Sequence, residues 1–444
     1  MTLVEEDARF ELLKAALGWC IASLVFAIPL GIAFVAAIRK NAPFFVKATC
    51  VFQVIAMFFI FPMLGIVFAV GFYYHRAKLV LVGSLLKVAG AALTDNGHLI
   101  TASLLIQALY QLAWFPLVIT TLFASKLQVM VRNRYSDLCH LSFHPAVYAL
   151  WIFVSIIVSW ITAFAYELRL FTIAHVVLRW YELPLGARLE GRPVREAMSA
   201  GLGPHSGSLS LGSAILVLCE MIRAFTESLR EVGGIPGKII GGIIAFIIDA
   251  CVEWYKEMTR FATVYLAATG KGFMEASRSS VALMERNMLE VYAVWRFPPL
   301  VLGLASFMFS LVGSLSVAFI FFGIGLAIRA AHKQGSNSDF ITFLWRATAI
   351  VGSVSLVNFY RVIYFLASTL LHIVDALYVA WATDLDNSVV KRPEVHAIFA
   401  LMPSVHVEGA VVQQPDSELG YAPGVAPGQQ EASCGLYVPL ATAS

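Results

Sequence analysis

Four long stretches without any charged side chain constrain this chain more than any other feature of its sequence. They cover residues 15–38, 48–74, 98–125 and 297–328. Each is at least as long as the roughly 20 residues that an α-helix needs to cross about 30 Å of hydrocarbon. Of the 444 residues, 59% are hydrophobic and only 13% are charged, about half the charged fraction of an average soluble domain. The sequence therefore predicts an all-α, polytopic integral membrane protein.

Further apolar segments, together with the four above and one predicted hairpin, bring the predicted number of membrane-spanning helices to about ten. They cover residues 79–93, 145–181, 206–230 and 340–382. A short loop is expected at 39–47, between the first two spans. Residues 233–295 are mixed in character, and we interpret them as interfacial helices plus one hairpin built from the apolar runs 239–248 and 261–269. Whether this region crosses the bilayer is left open.

Both ends of the chain are expected to lie in the cytosol. Residues 1–14 form the predicted N-terminal segment, 15–395 the transmembrane domain and 396–444 a disordered C-terminal tail. The chain after Arg392 has no Lys or Arg and is rich in Pro, Gly, Gln, Ala and Ser, a composition typical of disorder. The loop that holds Lys126, Arg132 and Arg134 is basic, so the positive-inside rule predicts that it is cytosolic.

Several functional classes lack support in the sequence. The formal net charge of +3 is too small to predict a nucleic-acid partner, and the six cysteines and ten histidines are dispersed without metal-ligand spacing. No zinc-protease, serine-hydrolase or phosphate-loop motif is present, and the glycines of segment 201–207 have the wrong spacing for a dinucleotide loop. We therefore expect no enzymatic activity, no metal and no cofactor.

Charged residues inside the apolar segments are the first candidates for function. An ionised side chain at the bilayer centre costs on the order of 3 kcal/mol, so Glu167 is expected to have a role. Asp249 and Glu253 are four residues apart with only Lys256 as a positive neighbour. Two acids so placed in a low dielectric suit proton coupling, whereas at the membrane interface they would be ordinary. Asp375, near a helix end, is interpreted as lying at headgroup level.

Aromatic residues form a second set of candidates. Trp160, Trp180 and Tyr181 lie on one long predicted helix. Such residues usually mark the interfacial belts of a membrane protein. An aromatic face turned toward a cavity instead binds a quaternary ammonium ion, and contributes about 2 kcal/mol when desolvated. Both interpretations stay open at this point.

Short motifs in the second half of the chain carry a family resemblance. In order they are Phe171-Thr-Ile-Ala174, Trp180-Tyr181, the small-residue segment 205–213, the segment 270–287, Val374-Asp375-Ala-Leu-Tyr and Asp384-Leu-Asp386-Asn387. This order resembles the choline transporter-like family over residues 160–395. Segment 259–263 reads Thr-Arg-Phe-Ala-Thr where the family pattern has Asn-Arg-Asn-Ala-Tyr, and the first 150 residues match only in hydropathy. The chain is therefore expected to be a divergent member from a non-animal lineage.

The resemblance implies a transporter of choline or a related amine, such as ethanolamine, that works by alternating access. Transport is either facilitative or proton-coupled, in the plasma membrane or an internal membrane. Aromatic faces would hold the ammonium group while serines orient the hydroxyl. The predicted substrate-binding residues are Trp160, Trp180, Tyr181, Ser208, Ser213 and Glu167. Glu167, or the pair of Asp249 and Glu253, would couple protons.

Small residues are expected to let helices approach closely. The predicted packing positions are Gly207, Gly212, Gly303 and Gly313. The expected partners are the lipid bilayer and a small cationic substrate, and the oligomeric state is left open.

A second hypothesis is a non-transporting membrane scaffold in lipid handling or vesicle trafficking. It predicts that Trp180→Ala and Glu167→Gln leave function intact, while deletion of the tail abolishes it. A membrane-embedded lipid enzyme is a third hypothesis, which product formation from a lipid by the purified protein would support.

Overall fold

The computed structural model describes residues 3–60, 62–74, 76–132, 139–183, 192–231, 235–286, 297–331 and 338–399. The helices in these ranges are α1 (Leu3–Ile60), α2 (Pro62–Tyr74), α3 (Arg76–Asp95), α4 (His98–Ala124), α5 (Pro145–Glu182), α6 (Pro193–Leu202), α7 (Ser206–Glu231), α8 (Ile235–Thr269), α9 (Phe273–Arg286), α10 (Phe297–Ala331), α11 (Ser338–Asp386) and α12 (Pro393–Phe399). Strands β1 (Gln128–Arg132) and β2 (Cys139–Phe143) pair antiparallel between α4 and α5.

Local sequence signals set several helix ends. Helix α5 begins where the extended residue His144 accepts a hydrogen bond from the Ala146 amide through its side chain, and Pro145 occupies the first helical position, where a missing N–H costs nothing. Helix α8 ends at Thr269, directly before Gly270, whose φ of 69° lies in the left-handed region. Glycine adopts that conformation without the steric cost that a Cβ atom brings.

The predicted all-α, polytopic membrane architecture is confirmed. Six helices of the described ranges are long and apolar enough to cross a membrane, and the number rises to seven if the bent pair α2 and α3 forms one span. The only strands in these ranges are the two short ones before α5. Ten spans are not confirmed, and α1, which counts as one candidate span, contains two of the predicted spans on either side of a kink.

The predicted loop at 39–47 is the first of these differences. The chain stays helical through it, and only Asn41 leaves helical geometry, with φ −143° and ψ 49°. Pro43, two residues later, has no backbone N–H to donate into the preceding turn. The non-helical Asn41 divides α1 into two helices that meet at a kink, so the predicted break between the first two spans is present but shorter than the predicted loop.

The mixed region 233–295 contains the second difference. Its two apolar runs, predicted as the legs of a hairpin, lie on the single helix α8. The chain turns after Thr269 instead, and α9 packs against α8 and α7. Helix α8 is not among the six candidate spans, and the interfacial location of this region stays a prediction. Residues 233–234 and 287–295 lie outside the described ranges.

The ends of the chain also differ in detail from the prediction. Helix α1 already begins at Leu3, within the predicted N-terminal segment 1–14. Helix α12 continues to Phe399 and buries Val395 and Phe399, so it covers the first residues of the predicted tail. The remainder of that tail, 400–444, lies outside the described residues, as does Arg134 of the predicted basic loop.

Helix α11 lies at the centre of the described structure. Residues 372–382 are all buried, and α11 packs against α1, α3, α5, α8 and α10. A helix that is apolar and buried on all sides is typical of the interior of a helical bundle. Any polar residue on this stretch must therefore be satisfied by neighbouring helices.

Candidate functional site

Five charged or titratable residues meet in the interior between α5, α8 and α11, and we refer to them as the buried ion cluster. Its members are Glu167 and Arg169 of α5, Arg260 of α8, and His372 and Asp375 of α11. None is more than 9% exposed. Asp375 was expected at headgroup level, and this expectation was wrong, because its side chain is 0% exposed.

One half of the buried ion cluster is an ion pair that joins α8 to α11. The Nη2 atom of Arg260 lies 3.0 Å from Oδ1 of Asp375, and 3.2 Å from Oε2 of Glu257. A buried guanidinium between two carboxylates is the kind of pairing that permits burial of a charge. This ion pair therefore ties the two helices together.

The other half joins α5 to α11 through Arg169. Its Nη2 atom donates to Oγ of Ser368 at 2.8 Å and lies 3.1 Å from Nε2 of His372. Because arginine only donates, Nε2 acts as the acceptor and the ring proton of a neutral His372 resides on Nδ1. That Nδ1 atom lies 3.9 Å from Oδ2 of Asp375. The guanidinium also lies 4.9 Å from the ring centroid of Phe365, within cation–π range.

Glu167 differs from the other members of the buried ion cluster. Its side chain is 0% exposed, and Oε2 accepts a hydrogen bond from Oγ1 of Thr263. Its other oxygen, Oε1, has no hydrogen-bond partner, and no cation pairs with Glu167 within the described part of the chain. A carboxylate buried without a cation is costly while it is charged, so Glu167 is suited to holding a proton.

A cavity of about 520 Å³ opens beside the buried ion cluster, between α5, α7 and α8, and we refer to it as the acidic cavity. Its charged lining consists of Glu220, Glu253, Lys256, Glu257 and Arg260. Three carboxylates thus face two cations. Arg260 belongs to both the cavity lining and the ion cluster, so the two are in direct contact.

The wall of the acidic cavity on α5 combines an aromatic ring with apolar and hydroxyl side chains. Tyr166 lines it, together with Val158, Ser159, Thr162 and Ala163. The Tyr166 ring packs edge-on against the His372 ring, with centroids 5.2 Å apart. The volume falls in the range of about 300–1,000 Å³ that is usual for small-molecule sites.

Two of the residues predicted to bind substrate lie together beside this cavity. Nε1 of Trp160 donates to Oγ of Ser213 at 3.0 Å, which joins α5 to α7. Ser213 is fully buried, whereas Trp160 is 45% exposed. Ser208 is half-buried near the start of α7, and the α7 residues that line the cavity are Leu216, Val217 and Glu220.

The other predicted aromatic pair lies elsewhere. Trp180 is twenty residues beyond Trp160 on the same helix, a distance of about 30 Å at 1.5 Å per residue. The guanidinium of Arg392 stacks 3.9 Å from the Trp180 ring centroid, and the Tyr181 hydroxyl donates to Oδ2 of Asp384 at 2.8 Å. A single site containing both pairs is ruled out by this separation, and the Trp180 face already holds a cation of the chain itself.

The neighbourhood of Asp249 and Glu253 also differs from the prediction. Arg223 of α7 reaches both acids, with Nε 3.7 Å from Oδ1 of Asp249 and Nη1 3.5 Å from Oε1 of Glu253. Lys256 was therefore not their only positive neighbour. A cation between two carboxylates removes the mutual repulsion on which the proton-coupling prediction depended.

The four predicted packing glycines divide into two groups. A Cβ atom on Gly212 would lie 2.9 Å from the Phe273 ring, and one on Gly313 would lie 2.8 Å from Leu30 and 3.0 Å from Phe359. Gly207 and Gly303 have no atom within 4 Å of that position. Close approach of helices in the described structure therefore depends on glycine at two of the four positions.

Sequence reasoning missed two members of the buried ion cluster, Arg260 and His372. Arg169 and Tyr166 stand out as a charged and an aromatic residue in a long apolar segment, but the sequence did not assign them to a common site. Arg169 lies in a long apolar segment, which is a signal in itself, whereas Arg260 follows Glu253, Lys256 and Glu257 on the same helix and does not stand out. The partners lie 115 residues apart for Arg260 and Asp375 and 203 apart for Arg169 and His372. The local sequence around each buried arginine does not indicate which residue of a distant helix is its partner.

Taken together, the helices and the site define a multi-pass membrane protein with an internal cavity beside a buried ion cluster. A family model described as "Plasma-membrane choline transporter" matches residues 58–386, well over half of the chain. The chain belongs to this family, which confirms the resemblance carried by the motifs. The plasma membrane is the location that the family description names.

Curated relatives agree with this assignment. Choline transporter-like protein 2 of Sus scrofa is 24% identical over 253 residues, which cover 56% of this chain and 34% of the relative. The protein of the same name from Homo sapiens is 24% identical over 252 residues, 55% of this chain and 34% of the relative. Choline transporter-like protein 5 of Xenopus tropicalis is 24% identical over 235 residues, 52% and 31% respectively. The matched region thus spans about a third of the relatives' length, at an identity that indicates a divergent member.

Proposed function

We propose that this protein transports choline or a related small amine across the plasma membrane, and that the acidic cavity is its substrate site. The observation that carries this proposal is the lining: three carboxylates against two cations, next to the Tyr166 ring. Membership of the family and the names of the relatives support the same substrate class.

The chemistry of the cavity suits a quaternary ammonium group. Such a group has no N–H to donate, so it is recognised by Coulomb attraction and by aromatic faces. Glu253 and Glu257 supply negative charge, and Tyr166 supplies an aromatic surface. The hydroxyls of Ser159 and Thr162 are placed on the same wall, where they would bond the substrate hydroxyl. This proposal moves the site away from Trp180 and Tyr181.

The buried ion cluster provides a barrier beside the proposed substrate site. Alternating access requires a cavity to be closed on one side while it opens on the other. The ion pair of Arg260 and Asp375 joins α8 to α11 next to the cavity, so it is our candidate for the closed side. Opening would move α8 relative to α11 and break that pair.

Proton coupling, if transport uses it, is assigned to Glu167. It is the buried carboxylate of this site without a cationic partner in the described structure, and it follows the lining residue Tyr166 directly. Asp249 and Glu253 are less suited, because Arg223 pairs with both. Facilitative transport is the alternative. Measuring uptake as a function of pH distinguishes the two.

Uptake of labelled choline by transport-deficient cells tests the proposal. We expect uptake above that of the empty vector, and a tenfold or larger rise in KM for Tyr166→Leu, because a desolvated cation–π contact contributes about 2 kcal/mol. Tyr166→Phe keeps the ring and is expected to keep wild-type KM within about twofold. Competition by unlabelled ethanolamine reports whether the site accepts primary amines.

Glu275→Gln is the matched control, since Glu275 is exposed on α9 and does not line the acidic cavity. Surface expression and melting temperature confirm that each variant folds. No uptake by wild type at the membrane would overturn the transport proposal and favour the scaffold hypothesis. Uptake that is insensitive to Tyr166→Leu would place the substrate site elsewhere.

A further inference from the structure

A second and larger cavity lies between α1, the turn that joins α3 to α4, and α6. Its volume is about 1280 Å³, and we refer to it as the basic cavity. Three arginines line it, Arg39 of α1 together with Arg192 and Arg195 at the start of α6. The acid that lines it is Asp95. The charge balance is therefore opposite to that of the acidic cavity.

The three arginine side chains of the basic cavity have no partner among the described residues. Arg39, Arg192 and Arg195 form no ion pair or side-chain hydrogen bond within the described ranges. The neighbouring Glu196 is taken by Arg179. Guanidinium groups that line a cavity and lack partners repel a choline cation, and they suit an anion with several oxygen atoms.

The remaining wall of the basic cavity is apolar. Val194, Met198 and Leu202 follow one another at intervals of four on α6 and therefore share one helix face. Ala102 and Leu105 of α4 face them across the cavity. Leu105 and Leu202 are about half exposed, at 50% and 52%. The apolar wall is thus continuous with the outer surface of a membrane-spanning helix, where acyl chains lie.

The position of the cavity matches the height of lipid headgroups. Helix α6 follows the end of the candidate span α5, and His98, which also lines the cavity, begins the candidate span α4. Ends of spans lie at the boundary between hydrocarbon and headgroups. Basic residues at that boundary bind lipid phosphates.

We propose that the basic cavity binds an anionic phospholipid. Arg192, Arg195 and Arg39 would hold its phosphate oxygens, while one acyl chain runs along the apolar faces of α4 and α6. The shared chemistry is a phosphate group, which a free phosphate ester also carries. The apolar wall is the feature that selects the lipid. This site is separate from the proposed substrate site and does not depend on it.

Binding is tested on the purified full chain by native mass spectrometry and by thermal shift. The probes are phosphatidylglycerol, phosphatidylcholine and glycerol phosphate. We expect phosphatidylglycerol to bind and raise the melting temperature, phosphatidylcholine to bind at least fivefold more weakly, and glycerol phosphate to give no shift at equal concentration. The double variant Arg192→Gln/Arg195→Gln is expected to lose at least tenfold in affinity for phosphatidylglycerol.

Arg278→Gln is the matched control, because Arg278 is an exposed arginine that lines a different cavity on α9. It should bind phosphatidylglycerol as the wild type does. Equal affinity of the double variant and the wild type would overturn the site, as would equal loss in Arg278→Gln. A glycerol phosphate shift as large as that of the lipid would overturn the lipid assignment. Leu105→Asn/Leu202→Asn, which keeps all three arginines, should weaken lipid binding selectively.

Discussion

Glu167 carries the most specific consequence at the scale of single residues. Its carboxylate is buried without a cation in the described structure, so its neutral form is favoured when the cavity is closed. Glu167→Gln imitates that neutral form permanently. We expect wild-type uptake to change with external pH and uptake by Glu167→Gln to be independent of pH over the same range. Labelled choline uptake from pH 5.5 to 8.5 measures this.

The outcome distinguishes coupling from a structural role. Retention of the wild-type pH profile by Glu167→Gln would exclude Glu167 as the coupling group. The exposed Glu275→Gln serves again as the control and should keep the wild-type profile. A wild type whose uptake does not change with pH would show facilitative transport instead.

Asp375 leads to a prediction about stability. Asp375→Asn leaves the buried guanidinium of Arg260 with Glu257 alone, and breaking a buried pair by removing one partner costs about 3–5 kcal/mol. We expect a clearly lower melting temperature in detergent. Lys271→Gln removes an exposed pair, in which the nearby Glu275 carboxylate raises the pKa of the Lys271 ammonium. That change should leave the melting temperature unaltered, because exposed pairs contribute little.

The double variant Arg260→Met/Asp375→Leu tests whether the unpaired buried charge causes the loss of stability. Replacing both charges with apolar groups removes the unpaired charge, so this variant should recover part of the stability that Asp375→Asn loses. A melting temperature of Asp375→Asn equal to that of the wild type would contradict the role assigned to the pair.

At the scale of elements, Gly313 controls how closely α10 approaches its neighbours. A side chain there would meet Leu30 of α1 and Phe359 of α11 at 3.0 Å or less, and overpacking of this kind costs about 1–3 kcal/mol. Gly313→Leu should therefore lower the melting temperature. Gly303→Leu, on the same helix but with open space at the Cβ position, should not. Equal losses in melting temperature for the two variants would show that any leucine on α10 is destabilising, and that the close contact at Gly313 is not the cause.

Most of the helices could be predicted from the sequence. A chain that crosses hydrocarbon must pair its backbone groups internally, which favours helices, and such helices appear in the sequence as long uncharged segments. Boundaries were harder to predict. A kink at Asn41 separates the two halves of α1 where a longer loop is expected, and the charges on α8 do not divide it into two legs. The pairing of β1 with β2 was not predicted, because no strong strand pattern marks the connection between α4 and α5.

The candidate site could be predicted only in part. Glu167 and Trp160 were proposed because a charge or an aromatic residue in an apolar segment stands out, and Ser213 was proposed from the small-residue segment that carries the family resemblance. The correct partners could not be derived, since Thr263 lies 96 residues from Glu167 and Arg392 lies 212 residues from Trp180. Charge alone indicates that a partner is required but not which helix supplies it.

At the scale of the whole molecule, the segment before α12 caps the C-terminal end of α5. The last carbonyl groups of a helix lack intrahelical donors, and Arg392 donates to those of Trp180 at 2.8 Å and Tyr181 at 3.3 Å. Arg392→Met should therefore destabilise the protein by about 2–4 kcal/mol. Deletion of residues 400–444 should leave both the melting temperature and choline uptake unchanged, since the composition of this tail is typical of disorder. Loss of function in that truncation would support the scaffold hypothesis.

The distance along the chain between partners in the buried ion cluster has a consequence for biosynthesis. Arg169 and Arg260 are synthesised 203 and 115 residues before His372 and Asp375. A nascent chain that has not yet produced α11 therefore lacks the Ser368 and His372 partners of Arg169, and its Arg260 can pair with Glu257 alone. Helices α5 and α8 cannot reach their final arrangement before then, so packing is completed only when the last long helix arrives. A chain truncated upstream of Asp375 is therefore expected to pack incompletely, because α5 and α8 lack the α11 partners of their arginines.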